Sequence, residues 1–311
     1  MVTNRKTSGV SHVEVSRHRH GQRLDNFLSA RLKGVPRSLI YRLIRTGQVR
    51  VNGGRARPSR RLETGDMVRI PPAKMRGQGN PDIPRKAIDL LAASICFDDG
   101  DIMVVDKPAG MAVHGGSGVD WGVVDVVRRL RPAKQVDLVH RLDRVTSGCL
   151  LLALSGAALK WLNEQLAAQR IDKRYLCLLD GVLPQSVVEV DEPIGRSERA
   201  GERLMQVDPA GKPAHTTFSK LHDYGSCSYA EANLHSGRTH QIRVHAAHLG
   251  MALAGDRVYA PAARQDHWRQ MGLSRLFLHA HQVSFTTLDG AGQLVSAALP
   301  DDLRTFLDTL A

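Results

Sequence analysis

Residues 71–86, "PPAKMRGQGNPDIPRK", hold four prolines and two glycines and show no apolar periodicity. Proline removes a backbone donor and breaks both helix and sheet, so such a stretch cannot run through a core. It predicts a linker over 72–88 and therefore two separate folding problems. The expected layout is a flexible leader over 1–20, a small module over 21–71, and a large domain over 89–311.

Charge divides at the same place. Residues 1–80 carry 18 Lys+Arg against 4 Asp+Glu, leaving 25 basic and 27 acidic side chains in the other 231 residues. The whole +12 excess of the 311-residue chain thus belongs to its first quarter. A basic excess confined to one module points to a polyanion held by that module, and nucleic acid is the first candidate. No apolar run approaches the ~20 residues of a membrane span. The N-terminus lacks the apolar segment of a secretory signal, and the four scattered cysteines form no C-x-x-C. A cytoplasmic protein with reduced thiols and no membrane association is expected.

Within the module, "QRLDNFLSARL" and "VPRSLIYRLIRTG" repeat apolar residues at helical spacing, and the second stops at Gly47. On that second helix Arg37, Tyr41 and Arg45 recur every four residues with Arg42 alongside, so one face is apolar and the other basic. A face that only solubilises alternates sign; this one has no acidic partners, which favours phosphate contact by Arg37, Tyr41, Arg42 and Arg45. "VRVNGG" and "GDMVRI" read as short strands that complete an αα-β module.

Beyond residue 89, strand-like runs alternate with both tight turns and helices, which predicts an α+β domain. "ICFDDGDIMVVDKPAG" reads as two strands around a turn, "GVVDVVRRLRP" and "ALKWLNEQLAAQRI" as helices, and "VDLVH" and "GCLLLALS" as strands. "KRYLCLLDG", "SYAEANLHSG", "RLFLHAHQVSF" and "VSAALP" add strands, while "THQIRVHAAHLG" begins as a strand and turns helical.

Several chemistries are disfavoured. "HGGSG" lacks the Lys-Ser/Thr of a phosphate loop, and no G-x-S-x-G marks an acyl-transfer serine. His235, His240, His245 and His248 cluster without an H-E-x-x-H, a nearby Cys or an intervening carboxylate, so no metal is expected. What remains is "VHRLDRVTSGCLLLA", where Asp143 stands between Arg141 and Arg144 ahead of a Thr-Ser-Gly turn. Tyr175 in "KRYLCLL" and Arg243 in "GRTHQIRVH" supply complementary groups. An arginine keeps a buried carboxylate ionised, and a tyrosine can stack on an extruded base. Taken alone, the residues point to a basic RNA-binding protein with an Asp/Arg/Tyr site.

These three segments, in this order, resemble the RluA family of RNA pseudouridine synthases. His140 to Gly148 match its H-R-L-D-x-x-T-S-G signature, "KRYLCLLDG" its tyrosine motif, and "GRTHQIRVH" with "GDRVYA" its third motif. The resemblance covers about residues 90–300, and the N-terminal module resembles an S4 RNA-binding domain. Cys149 and Ala260 depart from the family's usual residues without touching a reactive group. The resemblance implies a mainly antiparallel mixed sheet with flanking helices, and isomerisation of uridine to pseudouridine without a cofactor. Large-subunit ribosomal RNA is the implied partner and a monomer the implied state. Asp143 is then the nucleophile, Arg243 its orienting partner through a planar fork, and Tyr175 the residue stacked on the base and a candidate acceptor of the C5 proton. Arg141 would fill the gap left by the extruded nucleotide. A sister synthase with other target uridines, including one directed to transfer RNA, and a non-catalytic S4 assembly factor are the alternatives.

Overall fold

The structure is a computed structural model that describes residues 10–32, 35, 37–72, 82–115, 119–199 and 202–310. The chain separates into two compact units, Met1–Asn80 and Pro81–Ala311. Most of the expected linker, residues 73–81, lies outside the described residues, as do residues 1–9 of the leader and 116–118 of the "HGGSG" loop.

The first unit contains β1 (Ser11–Glu14), α1 (Leu24–Arg31), α2 (Arg37–Arg45), β2 (Arg50–Val51), β3 (Gly54–Arg55) and β4 (Met67–Ile70). Its four-stranded sheet has the order β1-β4-β2-β3. Leu24, Phe27 and Leu28 of α1 and Ile40, Leu43 and Ile44 of α2 close on Val51, Val68 and Ile70. Asn52 and Gly53 turn β2 into β3 at φ of 52° and 77°, the left-handed conformations that a two-residue hairpin needs. The leader departs from expectation. Ser11–Glu14 pairs antiparallel with Met67–Ile70, because Val13 and Val15 alternate with polar residues and bring apolar side chains to the core.

The second unit opens with α3 (Arg85–Ala93), so the last residues of the expected linker are helical. β5 (Ile95–Asp98), β6 (Ile102–Lys107), α4 (Val123–Leu130), β7 (Asp137–Leu138), β8 (Ser147–Ala153) and α5 (Gly156–Ala167) follow. Next come β9 (Asp172–Leu179), β10 (Val187–Asp191), β11 (Ile194–Arg199), β12 (Glu202–Val207), β13 (His215–Asp223) and β14 (Ser228–Leu234). The chain finishes with α6 (Gln241–His248), α7 (Ala262–Gln270), β15 (Leu278–Thr286), β16 (Gly292–Ser296) and α8 (Asp301–Asp308). The ten-stranded sheet runs β10-β13-β14-β9-β15-β8-β6-β5, with β16 on β15 and β7 on β8. β15–β8 is its parallel pair, and the other pairings are antiparallel. The fold is α+β, a large, mostly antiparallel mixed sheet with helices.

The centre of this sheet is buried on both faces. Along β8, Leu150 and Leu152 join one core with Val123, Val127 and Tyr175, whereas Cys149, Leu151 and Ala153 join another with Ala158 and Leu162 of α5. That is why "GCLLLA" reads as an unbroken apolar run. Gly148 is required where β8 starts. Its φ is +110°, and a Cβ there would lie 2.2 Å from the Ala280 carbonyl oxygen of β15. The Thr-Ser-Gly turn thus lets two strands approach closely enough to aim the preceding loop.

Candidate active site

Asp143 lies in the loop between β7 and β8, and the loop is fixed from beneath. Lys107, at the end of β6, is fully buried and donates to the carbonyls of Pro108 (2.9 Å), Met111 (2.9 Å) and Arg144 (3.3 Å). Burial pulls this ammonium down to about 7, with the Asp143 carboxylate opposing the shift. Three carbonyl acceptors use all three N–H donors, which also favours the charged form. Arg144 closes the other side, donating through Nε to the Gly110 carbonyl at 2.8 Å. The Thr146 N–H donates to the Asp143 carbonyl at 3.1 Å, and His140 Nε2 accepts from the Leu151 N–H at 3.1 Å. Burial keeps the His140 imidazole neutral, as an acceptor requires.

Arg243 approaches from α6. The segment expected to start as a strand is helical from Gln241 on, because Ile242 and Ala246 pack into the large core one turn apart. Arg243 aims its bidentate fork at Asp256: Nε donates to Oδ2 at 2.7 Å and Nη2 to Oδ1 at 2.8 Å. Its remaining nitrogen, Nη1, donates to Asp143 Oδ2 at 3.3 Å. Arg243 is 5% exposed and Asp256 0%, whereas Asp143 keeps 26% of its side chain open, so the clamp is sealed and the carboxylate is reachable. Burial disfavours the Arg243 charge, but Asp256 and Asp143 more than offset it and hold the guanidinium above its ordinary range.

Tyr175 of β9 lines the same cleft, with Leu142, Thr146 and Leu278. Burial, and then the nearby Asp143 carboxylate, push its phenol up, so the hydroxyl stays protonated. A neutral phenol suits an apolar ring surface better than a proton acceptor. Arg141 is exposed and lines the cleft as well. The Thr146 hydroxyl is buried, with no hydrogen-bond partner among the described residues.

Asp143, Tyr175, Arg243 and Arg141 therefore meet in one place. Tyr41, Arg42 and Arg45 lie on α2 of the other unit, all exposed. Tyr41 is less free than the spacing implied, since its hydroxyl donates to Asp25 at 2.8 Å. Arg37 lies on the same helix, with its side chain outside the described set. The four clustered histidines serve separate purposes: His245 contacts Thr216 and the Glu192 carbonyl, His235 stacks on His215, His240 faces Asp143, and His248 is exposed at the end of α6. Sequence reasoning passed over Asp256 and Lys107 and considered His240 only as a metal ligand. "GDRVYA" placed Asp256 in a motif but gave no sign that its carboxylate returns to Arg243.

Residues 101–248 match the RNA pseudouridylate synthase family, and residues 22–68 match the S4 domain. Ribosomal large subunit pseudouridine synthase C of Haemophilus influenzae is 40% identical over 308 residues, spanning 97% of this chain and 96% of that protein. The protein of that name from Escherichia coli K12 is 41% identical over 303 residues, covering 96% and 95%. Among solved structures, human RNA pseudouridylate synthase domain containing 4 shares the fold at a TM-score of 0.60 and 23% identity, over 72% of this chain and 95% of that one. Human RNA pseudouridylate synthase domain containing 1 gives 0.55 at 28% identity, over 67% and 83%.

Proposed function

Because the chain belongs to the RNA pseudouridylate synthase family, we propose that it isomerises specific uridines of large-subunit ribosomal RNA to pseudouridine, with Asp143 as nucleophile. One observation carries this reading. A carboxylate is held at Oδ2 by a buried arginine beside a buried aromatic ring, and the cleft between them opens to solvent.

The reaction exchanges one bond for another. The N1–C1′ bond breaks, the uracil turns within the cleft, and C5 joins C1′; the C5 proton leaves and N1 gains one. An electron-poor C1′ calls for an adjacent carboxylate, as at other glycosidic centres. Asp143 supplies it, the Tyr175 ring supports the base, and the apolar walls of Leu142 and Leu278 keep water from the freed uracil. Burial favours a neutral Tyr175 phenol, which suits stacking on the base, and the C5 proton lost to water balances the one that N1 gains. Arg141, exposed beside the cleft, takes the space of the extruded nucleotide. Arg37, Arg42 and Arg45 of the S4 module hold phosphates elsewhere on the RNA, while Tyr41, whose hydroxyl donates to Asp25, offers the RNA its ring. On this reading the protein works in the cytoplasm, acts as a monomer and uses no cofactor, since the isomerisation adds and removes no atoms.

The test is tritium release from ribosomal RNA made with 5-tritiated uridine. Wild-type protein should release tritium and Asp143→Asn should not; equal release from both would remove Asp143 from the mechanism. Mapping pseudouridines in cells with and without the gene identifies the target. Loss confined to transfer RNA, or to the sites of a sister synthase of type D, would replace the substrate assignment. Normal ribosomal pseudouridines combined with defective subunit assembly would favour a non-catalytic S4 assembly factor.

A further inference from the structure

His240 precedes α6 with φ 57° and ψ 21°, a left-handed conformation that a non-glycine residue adopts only when its surroundings demand it. Its imidazole stands between two side chains. Nδ1 lies 2.8 Å from the Tyr259 hydroxyl and Nε2 lies 3.7 Å from Asp143 Oδ2. The Tyr259 hydroxyl already accepts from the Met205 N–H at 3.3 Å, so its own proton is available to Nδ1. A hydroxyl that donates to Nδ1 puts the imidazole proton on Nε2, the atom that faces Asp143. Tyr259 is itself anchored. The Arg243 guanidinium covers its ring at 5.0 Å, and its backbone N–H donates to Asp256 Oδ1 at 3.1 Å. The loop that clamps Arg243 thus also sets the orientation of His240.

Both contacts to the Asp143 carboxylate fall on the same oxygen. Arg243 Nη1 and His240 Nε2 approach Oδ2, and among the described residues no hydrogen bond reaches Oδ1. We propose that His240 and Tyr259 are positioning residues for the isomerisation: Tyr259 fixes the His240 tautomer, and the His240 Nε2–H joins Arg243 in holding Oδ2 so that Oδ1 is the oxygen presented to C1′. This rests on Asp143 being the reacting carboxylate. At 3.7 Å the histidine contact is electrostatic, and it tightens to a hydrogen bond once ribose displaces water from the cleft. The charged and titratable groups around the imidazole are Asp143, Arg141, Arg243, Asp256 and Tyr259, and burial outweighs the pull of Asp143 in keeping it neutral.

The experiment uses the full chain, a large-subunit ribosomal RNA transcript carrying 5-tritiated uridine, single-turnover rates and filter binding. His240→Ala should slow the rate by roughly 10–100-fold, the range seen when an outer supporting partner is lost, while RNA affinity stays within about twofold. His240→Gln keeps an N–H near the Nε2 position and should recover most of that loss. Tyr259→Phe retains the ring over Arg243 but frees the tautomer, and should slow the rate by roughly 5–20-fold at unchanged affinity. It also decides the matter if His240→Ala fails to fold. A Gln variant as slow as Ala, a loss confined to affinity, or a Phe variant at wild-type rate would overturn the proposal. Failure of the site assignment looks different: wild type and Asp143→Asn would then release tritium equally.

Discussion

In the N-terminal unit Arg42 and Arg45 stand exposed on α2, and among the described residues no carboxylate meets either. In the C-terminal unit Arg243 is buried, forked onto Asp256 and touching Asp143 with its last nitrogen. The same side chain is thus placed for opposite tasks. An exposed guanidinium is available to a phosphate, and its contribution falls with salt. A buried one is committed to its partners, and its value lies in the geometry it imposes. Net charge follows the same division: the excess sits in the N-terminal unit and vanishes in the C-terminal one, where basic and acidic side chains are nearly equal in number.

The largest effect should come from the carboxylate that the buried arginine serves. Asp143→Asn is nearly isosteric but cannot act as an anionic nucleophile, so turnover should fall by about 10³-fold or more with RNA binding intact. Single-turnover tritium release beside filter binding measures both. A parallel loss of affinity would mean that Asp143 belongs to the binding surface, and the contrast between the units would weaken.

Next in size are variants that exchange the two kinds of arginine. Arg243→Lys cannot reproduce a fork onto Asp256 while also reaching Asp143, so turnover should drop by about 10²-fold at nearly unchanged affinity. Asp256→Ala strands a buried guanidinium and should cost about 3–5 kcal/mol of stability, read from chemical denaturation. Arg42→Lys is the control from the other unit: a phosphate accepts a point charge, so neither rate nor affinity should move much. Normal turnover in Arg243→Lys would show that the buried clamp is structural only.

The limits of sequence reading follow the same line. The order of the Asp143, Tyr175 and Arg243 segments was legible because each carries its own local pattern, and the α+β class followed from alternating strands and helices. Asp256 was not legible as the clamp. An Asp after a Gly reads as a turn, and only the return of residues 253–259 against α6 brings its oxygens to Arg243. His240 was weighed as a metal ligand and set aside, since nothing local predicts a left-handed histidine wedged against Tyr259. β10 through β13 went unread because polar and charged residues dominate β11 and β13, and prolines stand between the strands. The leader strand β1 was missed because four residues are too few to show a period.

Removing residues 1–80 tests the exposed half of the contrast. The truncated protein loses a net charge of +14, so affinity for long RNA should fall and the dependence of log K on log salt should flatten by several units. The remaining unit should still fold and turn over slowly, because every contact described around Asp143 lies within residues 81–311. An unchanged salt slope would mean that the S4 module's arginines do not bind phosphate.

The smallest effect concerns a third kind of cation, Lys107, which is buried like Arg243 but has no carboxylate of its own. Burial lowers its folded-state value to about 7 from the ordinary 10.5. Between those limits the unfolded chain binds a proton that the folded chain has released, so stability rises with pH. The window is open to inspection: the buried histidines, shifted downward, have made their contribution by about pH 7, and the buried thiols, shifted upward, begin to oppose it only near pH 9. Lys173, also lowered by burial, adds a slope of the same sign, so the readout is a difference between variants. Urea unfolding at pH 7, 8 and 9 should show wild type gaining about 1 kcal/mol per pH unit more than Lys107→Met. Parallel lines would mean that the three carbonyls of Pro108, Met111 and Arg144 keep the ammonium charged, so that a ring of neutral dipoles holds a cation beneath Asp143 as firmly as Asp256 holds Arg243 beside it.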